Sequence, residues 1–256
     1  MARLANKVAL ITGATGGIGA ATARAYLREG AKVMLVGRSE DKLAATRKEL
    51  GHADATATFA IDATDENGTR AAVEATVAAF GGLDIVFANA GTEGSVKPLI
   101  ELTVDDFEQI LQTNVVGAWL TIKHAVGALT ARGGGAVIAT SSIAGAIGFP
   151  GLSAYVASKH AVNGLVKTAA LELAASGIRV NAIAPGMIDN RMLHSIAGQM
   201  ETGTAEEVLE GLTPLIPMQR LGRSEEIAEL AVFLGSDESS YCTGSVHLMD
   251  GGYVAA

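Results

Sequence analysis

Val8-Ala9-Leu10-Ile11-Thr12-Gly13-Ala14-Thr15-Gly16-Gly17-Ile18-Gly19 is the stretch on which the reading of this chain turns. Val8 to Thr12 is an apolar, β-branched run of strand length, and Ile18 to Glu29 carries helical periodicity directly after the glycines. A glycine turn between strand and helix lets the backbone approach a pyrophosphate closely, while the free N–H groups and dipole of the helix N-terminus favour its charge. Gly13, Thr15, Gly17, Ile18 and Gly19 are therefore the expected phosphate cradle of a dinucleotide. A glycine-rich turn alone is weak evidence; the strand before it and the helix after it give it weight.

Outward from that unit the same alternation continues. Buried strands are expected at Lys32 to Val36, Thr56 to Ile61, Asp84 to Ala88, Ala136 to Thr140, Ile178 to Ile183 and Ser245 to Met249. Helical segments fall between them, including Asp41 to Leu50, Arg70 to Phe80 and Ala157 to Ala175. Strand and helix in alternation imply right-handed crossovers, hence an α/β, doubly wound parallel sheet of about seven strands with helices on both faces. No linker or repeat interrupts residues 1–256, so one domain is expected. The alternation pauses from Asn190 to Arg220, where Met192, Leu193, Ile196, Met200, Val208, Leu209 and Leu212 recur at roughly helical spacing. That segment reads as a helical insertion, either a surface hairpin or, given where it begins, a lid over an apolar substrate.

With 49% apolar residues in 256, the chain can bury a large core. Its net charge of −8 and lack of any Lys/Arg-rich run argue against nucleic acid or anionic membrane as partner. Cys242 is the only cysteine, which excludes an internal disulfide and suits a reducing compartment, so the cytoplasm is the expected location. Val8 to Ile11 is too short for a signal or spanning segment. His52, His124, His160, His194 and His247 show no ligand spacing, and no metal is expected.

The second strand ends Val36-Gly37-Arg38-Ser39, where a carboxylate would usually meet the ribose 2′-hydroxyl of NAD. Gly37 leaves room for a 2′-phosphate and Arg38 offers a fork of donors to it, so NADP is favoured and NAD is the alternative. Asp62, after the third strand, is open to two readings: acceptor for the adenine amine, or turn cap. Tyr155 and Lys159, four apart at the start of a helical segment, share one face. An ammonium beside a phenol stabilises the phenolate and tunes it for proton transfer.

From Lys7 to Asp250-Gly251-Gly252 the chain resembles the short-chain dehydrogenase/reductase family, whose fold is Rossmann-like. The resemblance rests on Thr12 to Gly19, Asn89-Ala90-Gly91, Asn114, Ser141-Ser142, Tyr155 with Lys159, and Pro185-Gly186, in the family's order and spacing. It implies that Tyr155 exchanges the substrate proton, that Ser142 binds the carbonyl oxygen, and that Lys159 lowers the tyrosine pKa and holds the nicotinamide ribose. Asn114 would keep a water in the proton relay or cap a helix, and Asn89, Gly91, Pro185, Gly186 and Ile188 would contact cofactor. Ala88 and Asn190 stand where the family usually has Asn and Thr. Gly13, Gly37, Asp62, Asn89, Ser142 and Pro185 each follow an expected strand, so ligand and chemistry would share one sheet edge.

The reading that results is hydride transfer between NADP(H) and a carbonyl or secondary alcohol in a pocket lined by Gly145, Ile147, Phe149, Leu152, Met187, Met192 and Leu193. The alternatives are a 3-oxoacyl thioester reductase, disfavoured by the lack of a basic docking patch, and a non-catalytic nucleotide-binding regulator. The resemblance also implies a homotetramer.

Overall fold

Each strand of the sheet presents alternate residues to opposite faces, and both faces are covered. In the computed structural model, which describes residues 2–200 and 203–255, seven strands run parallel in the order β3-β2-β1-β4-β5-β6-β7. They are β1 (Val8–Thr12), β2 (Lys32–Gly37), β3 (Thr56–Ala60), β4 (Ile85–Ala88), β5 (Gly135–Thr140), β6 (Ile178–Pro185) and β7 (Val246–Met249). The helices are α1 (Gly17–Arg28), α2 (Glu40–Leu50), α3 (Glu66–Phe80), α4 (Val104–Leu111), α5 (Gly117–Ala131), α6 (Ser153–Leu173), α7 (Arg191–Gly198), α8 (Ala205–Leu212) and α9 (Ser224–Gly235). None among the described residues is long and apolar enough to cross a membrane.

Ile11, Leu35, Phe87 and Ile138 point to one face, where α1, α2 and α9 bring Ala23, Tyr26, Leu43, Ile227 and Ala231. Their neighbours Leu10, Met34, Val86 and Val137 point to the other, against Val73 of α3, Leu129 of α5 and Val162 and Val166 of α6. Burying each such aliphatic side chain contributes roughly 1.5–3 kcal/mol. Tyr26 carries its hydroxyl into the first layer and donates to the Ala231 carbonyl at 3.1 Å, joining α1 to α9.

Differences from the sequence reading have local causes. α3 begins at Glu66 rather than Arg70, because the Asp65 carboxylate accepts from the Gly68 N–H and caps the helix. β4 begins one residue after Asp84, whose carboxylate accepts from the Val8 N–H at 2.8 Å and pairs with Arg132 at 3.1 Å. α4 and α9 went unread from the periodicity; α4 is short and the apolar side chains Val104 and Phe107 are exposed. Between β6 and α9 lie α7 and α8, with positions 201 and 202 outside the described residues.

The order of strands reverses beside β1: β2 lies on one side and β4 on the other. Connections therefore leave in opposite directions from the carboxyl ends of β1 and β4 and open a crevice between them, the place where such sheets bind ligands.

Candidate active site

Gly13 follows β1 at φ +63°, a conformation glycine adopts without strain. The turn then closes through Gly16 N–H to the Gly13 carbonyl at 3.1 Å and starts α1. Gly16 is the N-cap and no side chain caps the helix, leaving its first N–H groups facing the crevice edge. A side chain at Gly19 would overlap the Gly13 carbonyl oxygen, so close packing of α1 on the turn demands glycine. A wall of backbone donors at a helix N-terminus fits a pyrophosphate.

Asn89 holds this turn from behind. Its amide N–H donates to the carbonyls of Thr12 (3.2 Å) and Gly13 (3.3 Å), and its oxygen accepts from the Thr140 hydroxyl at 3.0 Å. The Thr12 hydroxyl accepts from the N–H groups of Asn89 and Ala90 at 3.0 and 3.1 Å. Thr12, Asn89 and Thr140 thereby lock the ends of β1, β4 and β5 together; the polar side chain of Asn89 is engaged with protein.

At the end of β2, Gly37 is half-buried and Arg38 exposed, with no side-chain hydrogen bond or ion pair to Arg38 among the described residues. Thr15 borders the same place: a Cβ on Gly37 would lie 3.8 Å from the Thr15 methyl. Asp62 caps its own turn through Thr64 N–H at 2.9 Å and the Thr64 hydroxyl at 2.8 Å, both on one carboxylate oxygen. Those Thr64 bonds, aided by the Arg38 charge, hold its carboxyl below the usual range.

The chemical groups come from β5, α6 and the α4–α5 junction. Ser142 sits just past β5 and accepts from the Ala144 N–H at 3.1 Å, which starts a single turn over Ile143–Gly145. Tyr155 lies in the first turn of α6, which begins at Ser153 rather than Ala157. Lys159, one turn on, is 4% exposed and donates to the Thr140 carbonyl at 2.8 Å, its Nζ lying 5.5 Å from the Tyr155 ring centre. Burial pushes the Tyr155 phenol up to about 12; the Ser142 hydroxyl works against the rise and the Glu93 carboxylate adds to it. Burial likewise brings Lys159 down to about 8. Desolvation is the largest influence on the Tyr155 phenol, and the Lys159 ammonium is turned to the Thr140 carbonyl.

Asn114 is not a helix N-cap. It lies in a π-helical turn, Gln112–Val116, inside a continuous helical run from α4 to α5. The widened turn presents the side chain inward, as such turns often do at functional sites. Its oxygen accepts from Thr92 N–H at 2.8 Å, and its amide donates to the Thr92 carbonyl at 2.9 Å and the Ser158 hydroxyl at 3.0 Å. A Cβ on Gly91 would stand 3.2 Å from the Asn114 oxygen and 3.7 Å from Lys159 Nζ, which places that glycine over the same centre.

α7 covers this group. Asn190 caps it, accepting from the N–H groups of Met192 and Leu193 at 2.9 and 3.2 Å, and Met192 sulfur lies 3.9 Å from the Tyr155 hydroxyl. Around Tyr155 pack Ala144, Leu152, Val96, Phe149, Met192 and Ile196, an apolar surround for a reacting carbon. Of the residues expected to line the pocket, Phe149, Leu152 and Met192 are here. Gly145 instead lets the turn approach α6, since a Cβ there would meet Asn163 at 2.6 Å. Met187 lines a cavity of about 380 Å³ with Ile216, Met218, Leu248 and Met249. Ile188 is buried beside Gly222 and lines that cavity too, while Pro185 ends β6 and Gly186 follows it, its N–H bonded to the Met249 carbonyl at 2.9 Å.

Glu93 and Arg191 were missed by the sequence reading. Glu93 is buried, and the Arg191 guanidinium donates to both its oxygens at 2.9 and 3.2 Å. Burial pushes the Glu93 carboxyl up, but the Arg191 fork, its own backbone N–H and the Ser195 hydroxyl together hold it below the usual range. The available signal was a lone carboxylate two residues past Gly91 in a stretch otherwise uncharged.

Sheet order and edge chemistry define the class, an α/β fold of the dinucleotide-binding type with a buried tyrosine, serine and lysine at the carboxyl edge of the sheet. The family model described as enoyl-(acyl carrier protein) reductase matches residues 13–254. The chain is 39% identical to cis-4-hydroxycyclohexanecarboxylate dehydrogenase of Sinomonas cyclohexanicum, covering 98% of each protein. It is 38% identical to cyclohexanol dehydrogenase of Acinetobacter sp. (strain SE19), covering 98% of this chain and 96% of that one. The crystal structure of levodione reductase superposes with a TM-score of 0.95 at 36% identity, over 99% of this chain and 100% of the other. The chain belongs to the short-chain dehydrogenase/reductase family, and with it to the oxidoreductases that use a nicotinamide nucleotide.

Proposed function

We propose that this protein interconverts a secondary alcohol and its ketone, on a small cyclic substrate, with NADP(H) as hydride carrier and Tyr155 as the proton-transfer group. The observation that carries the reading is the burial of Tyr155, Ser142 and Lys159 together under an apolar roof at the sheet edge that also bears the α1 N-terminus. The relatives named for cyclohexanol and for a hydroxycyclohexanecarboxylate support a cyclic substrate. The apolar side chains of Phe149, Leu152, Met192 and Ile196 packed about Tyr155 suit an apolar ring.

The bound nicotinamide supplies the hydride. The chain supplies the rest. Ser142 hydrogen-bonds the substrate oxygen and, with the Tyr155 hydroxyl, fixes the carbonyl against the hydride donor. Because burial keeps Tyr155 protonated at neutral pH, the phenol is ready to donate as a carbonyl becomes an alkoxide. Lys159, anchored on the Thr140 carbonyl, is placed to stabilise the phenolate left behind and to reach the ribose of the nucleotide. Asn114, with its Thr92 and Ser158 bonds, holds the floor of the site in register and stands beside Lys159 for proton return. The α1 N-terminus, Gly13 to Gly19, holds the pyrophosphate; Gly37 and Arg38 select the 2′-phosphate, while Asp62, Gly91, Pro185, Gly186 and Ile188 border the nucleotide.

We further read residues 1–256 as one domain whose 190–220 segment acts as a lid, assembled as a cytoplasmic homotetramer. The experiment that tests the main reading is a turnover assay by nicotinamide absorbance with NADPH or NADH and a panel of cyclic and open-chain ketones. Reduction of cyclic ketones is the expected result. Nucleotide binding without turnover of any ketone or alcohol would replace the enzyme with a regulator.

A further inference from the structure

α7 is a short helix, and a helix of this length has little stability of its own in water. Its position over Tyr155 must therefore come from what it touches. Ala197 is its one buried residue, and Met192 and Ile196 supply apolar contacts to the roof. Opposite it runs the loop after β4, which meets α7 at two polar places. Gln199, just past the helix, accepts from Val96 N–H at 3.0 Å and donates to the Gly94 carbonyl at 3.3 Å. At the other end stands the two-pronged pair of Arg191 and Glu93, with the Ser195 hydroxyl of α7 as a further donor to the same carboxylate.

We propose that the Glu93–Arg191 pair is the latch that holds α7 closed over Tyr155, which makes both of them positioning residues for the reaction. The asymmetry of burial is what makes the pair a latch rather than a fixed strut. The Arg191 side chain is 74% exposed while that of Glu93 is 7% exposed. When α7 swings away, Arg191 keeps the water it already has, and Glu93 gains water because the helix that covered it has left. Neither charge is stranded in apolar surroundings in the open state, so the large penalty for an unpaired buried charge is avoided on opening. In the closed state two charge-assisted bonds fix the helix by its first residue, one position from Met192. Removing either partner with the helix closed strands or removes one charge, and the balance moves toward opening.

The test is hydrogen–deuterium exchange on the full chain with no nucleotide added, comparing wild type, Glu93→Gln, Arg191→Met and the double variant. Exchange of the α7 amides rises by about tenfold or more in each single variant, the size expected for losing bonds to a charged group. The double variant exchanges no faster than the faster single one, since the latch needs both partners, and α6 amides stay unchanged in all four. If both single variants keep wild-type α7 exchange, or if the double variant multiplies the two single effects, the latch is refuted. Glu93→Gln preserves shape and keeps the test decisive even if Arg191→Met folds poorly. With cyclohexanone as probe, the single variants raise KM by more than they lower kcat, while nicotinamide binding is unchanged; the reverse split also counts against the latch. Only this kinetic arm rests on the oxidoreductase reading. Absence of turnover in wild type would strike at that reading and leave the exchange result standing.

Discussion

Replacing Gly37 by Asp places a carboxylate at the end of β2, where the structure offers room, next to Arg38. A Cβ there would stand 3.5 Å from a Leu43 methyl and 3.8 Å from the Thr15 methyl, both ordinary contacts, so the turn accepts the side chain without moving. The consequence is electrostatic. Two unit charges about 4 Å apart at an effective dielectric of about 20 repel by about 4 kcal/mol, and a phosphate carries more than one charge at neutral pH. Gly37 is half-buried and Arg38 exposed, so salt and solvent screen a large part of that. Roughly tenfold to a hundredfold weaker NADPH binding remains after screening. NADH gains instead, because the carboxylate accepts from the ribose hydroxyls. Nicotinamide fluorescence titration of wild type and variant with both nucleotides measures the swing directly. Wild-type preference for NADH, or an unchanged NADPH-to-NADH ratio in the variant, would refute the role given to Gly37 and Arg38.

Tyr155→Phe lowers kcat by about 10²- to 10⁴-fold while nicotinamide binding stays as in wild type; turnover within tenfold of wild type removes Tyr155 as the proton donor. Alcohol oxidation needs the phenolate, whose fraction grows about tenfold per pH unit below the Tyr155 value of about 12, whereas ketone reduction uses the phenol already present. Oxidation therefore accelerates from neutral to alkaline pH and reduction does not, and pH–rate profiles in the two directions check the sign; an oxidation rate that falls with pH contradicts it. Asn114→Ala deletes the bonds to Thr92 N–H, Thr92 carbonyl and Ser158 and costs about 3 kcal/mol at about 1 kcal/mol each. Urea denaturation reads that loss, and a variant as stable as wild type would mean the junction is braced by other groups.

The fold was legible because its strands are short apolar runs set apart by helical periodicity, so Val8–Thr12 and Ile178 could be placed to within a residue. What escaped was set by contacts across long sequence distances. β4 loses Asp84 to a bond with Val8, and α4 lacks a buried stripe because few of its residues face the core. In the site, glycines and the Tyr155–Lys159 spacing announce themselves, since turn geometry and helix pitch are local. The π-turn that carries Asn114 does not, because its sequence, Gln112 to Val116, obeys ordinary helical propensity and only tertiary bonds to Thr92 and Ser158 reveal the widened turn. Glu93 and Arg191 are nearly a hundred residues apart, and neither composition nor period couples them. The balance of forces on Tyr155 was beyond the sequence too, since it depends on how deeply the phenol and ammonium are buried.

All seven strands point the same way, which leaves the amino-terminal edge of the sheet without any group assigned a part in the reaction. The turns at that edge include Gly51, Gly81 and Gly133, each with φ above +70° and nothing within 4 Å of where a side chain would go. Such turns are natural attachment points for engineering. A fluorophore, an affinity peptide or a surface tether spliced in after Gly51 or Gly81 would sit a full strand length from the chemistry, allowing the enzyme to be immobilised with its catalytic rim facing the solution.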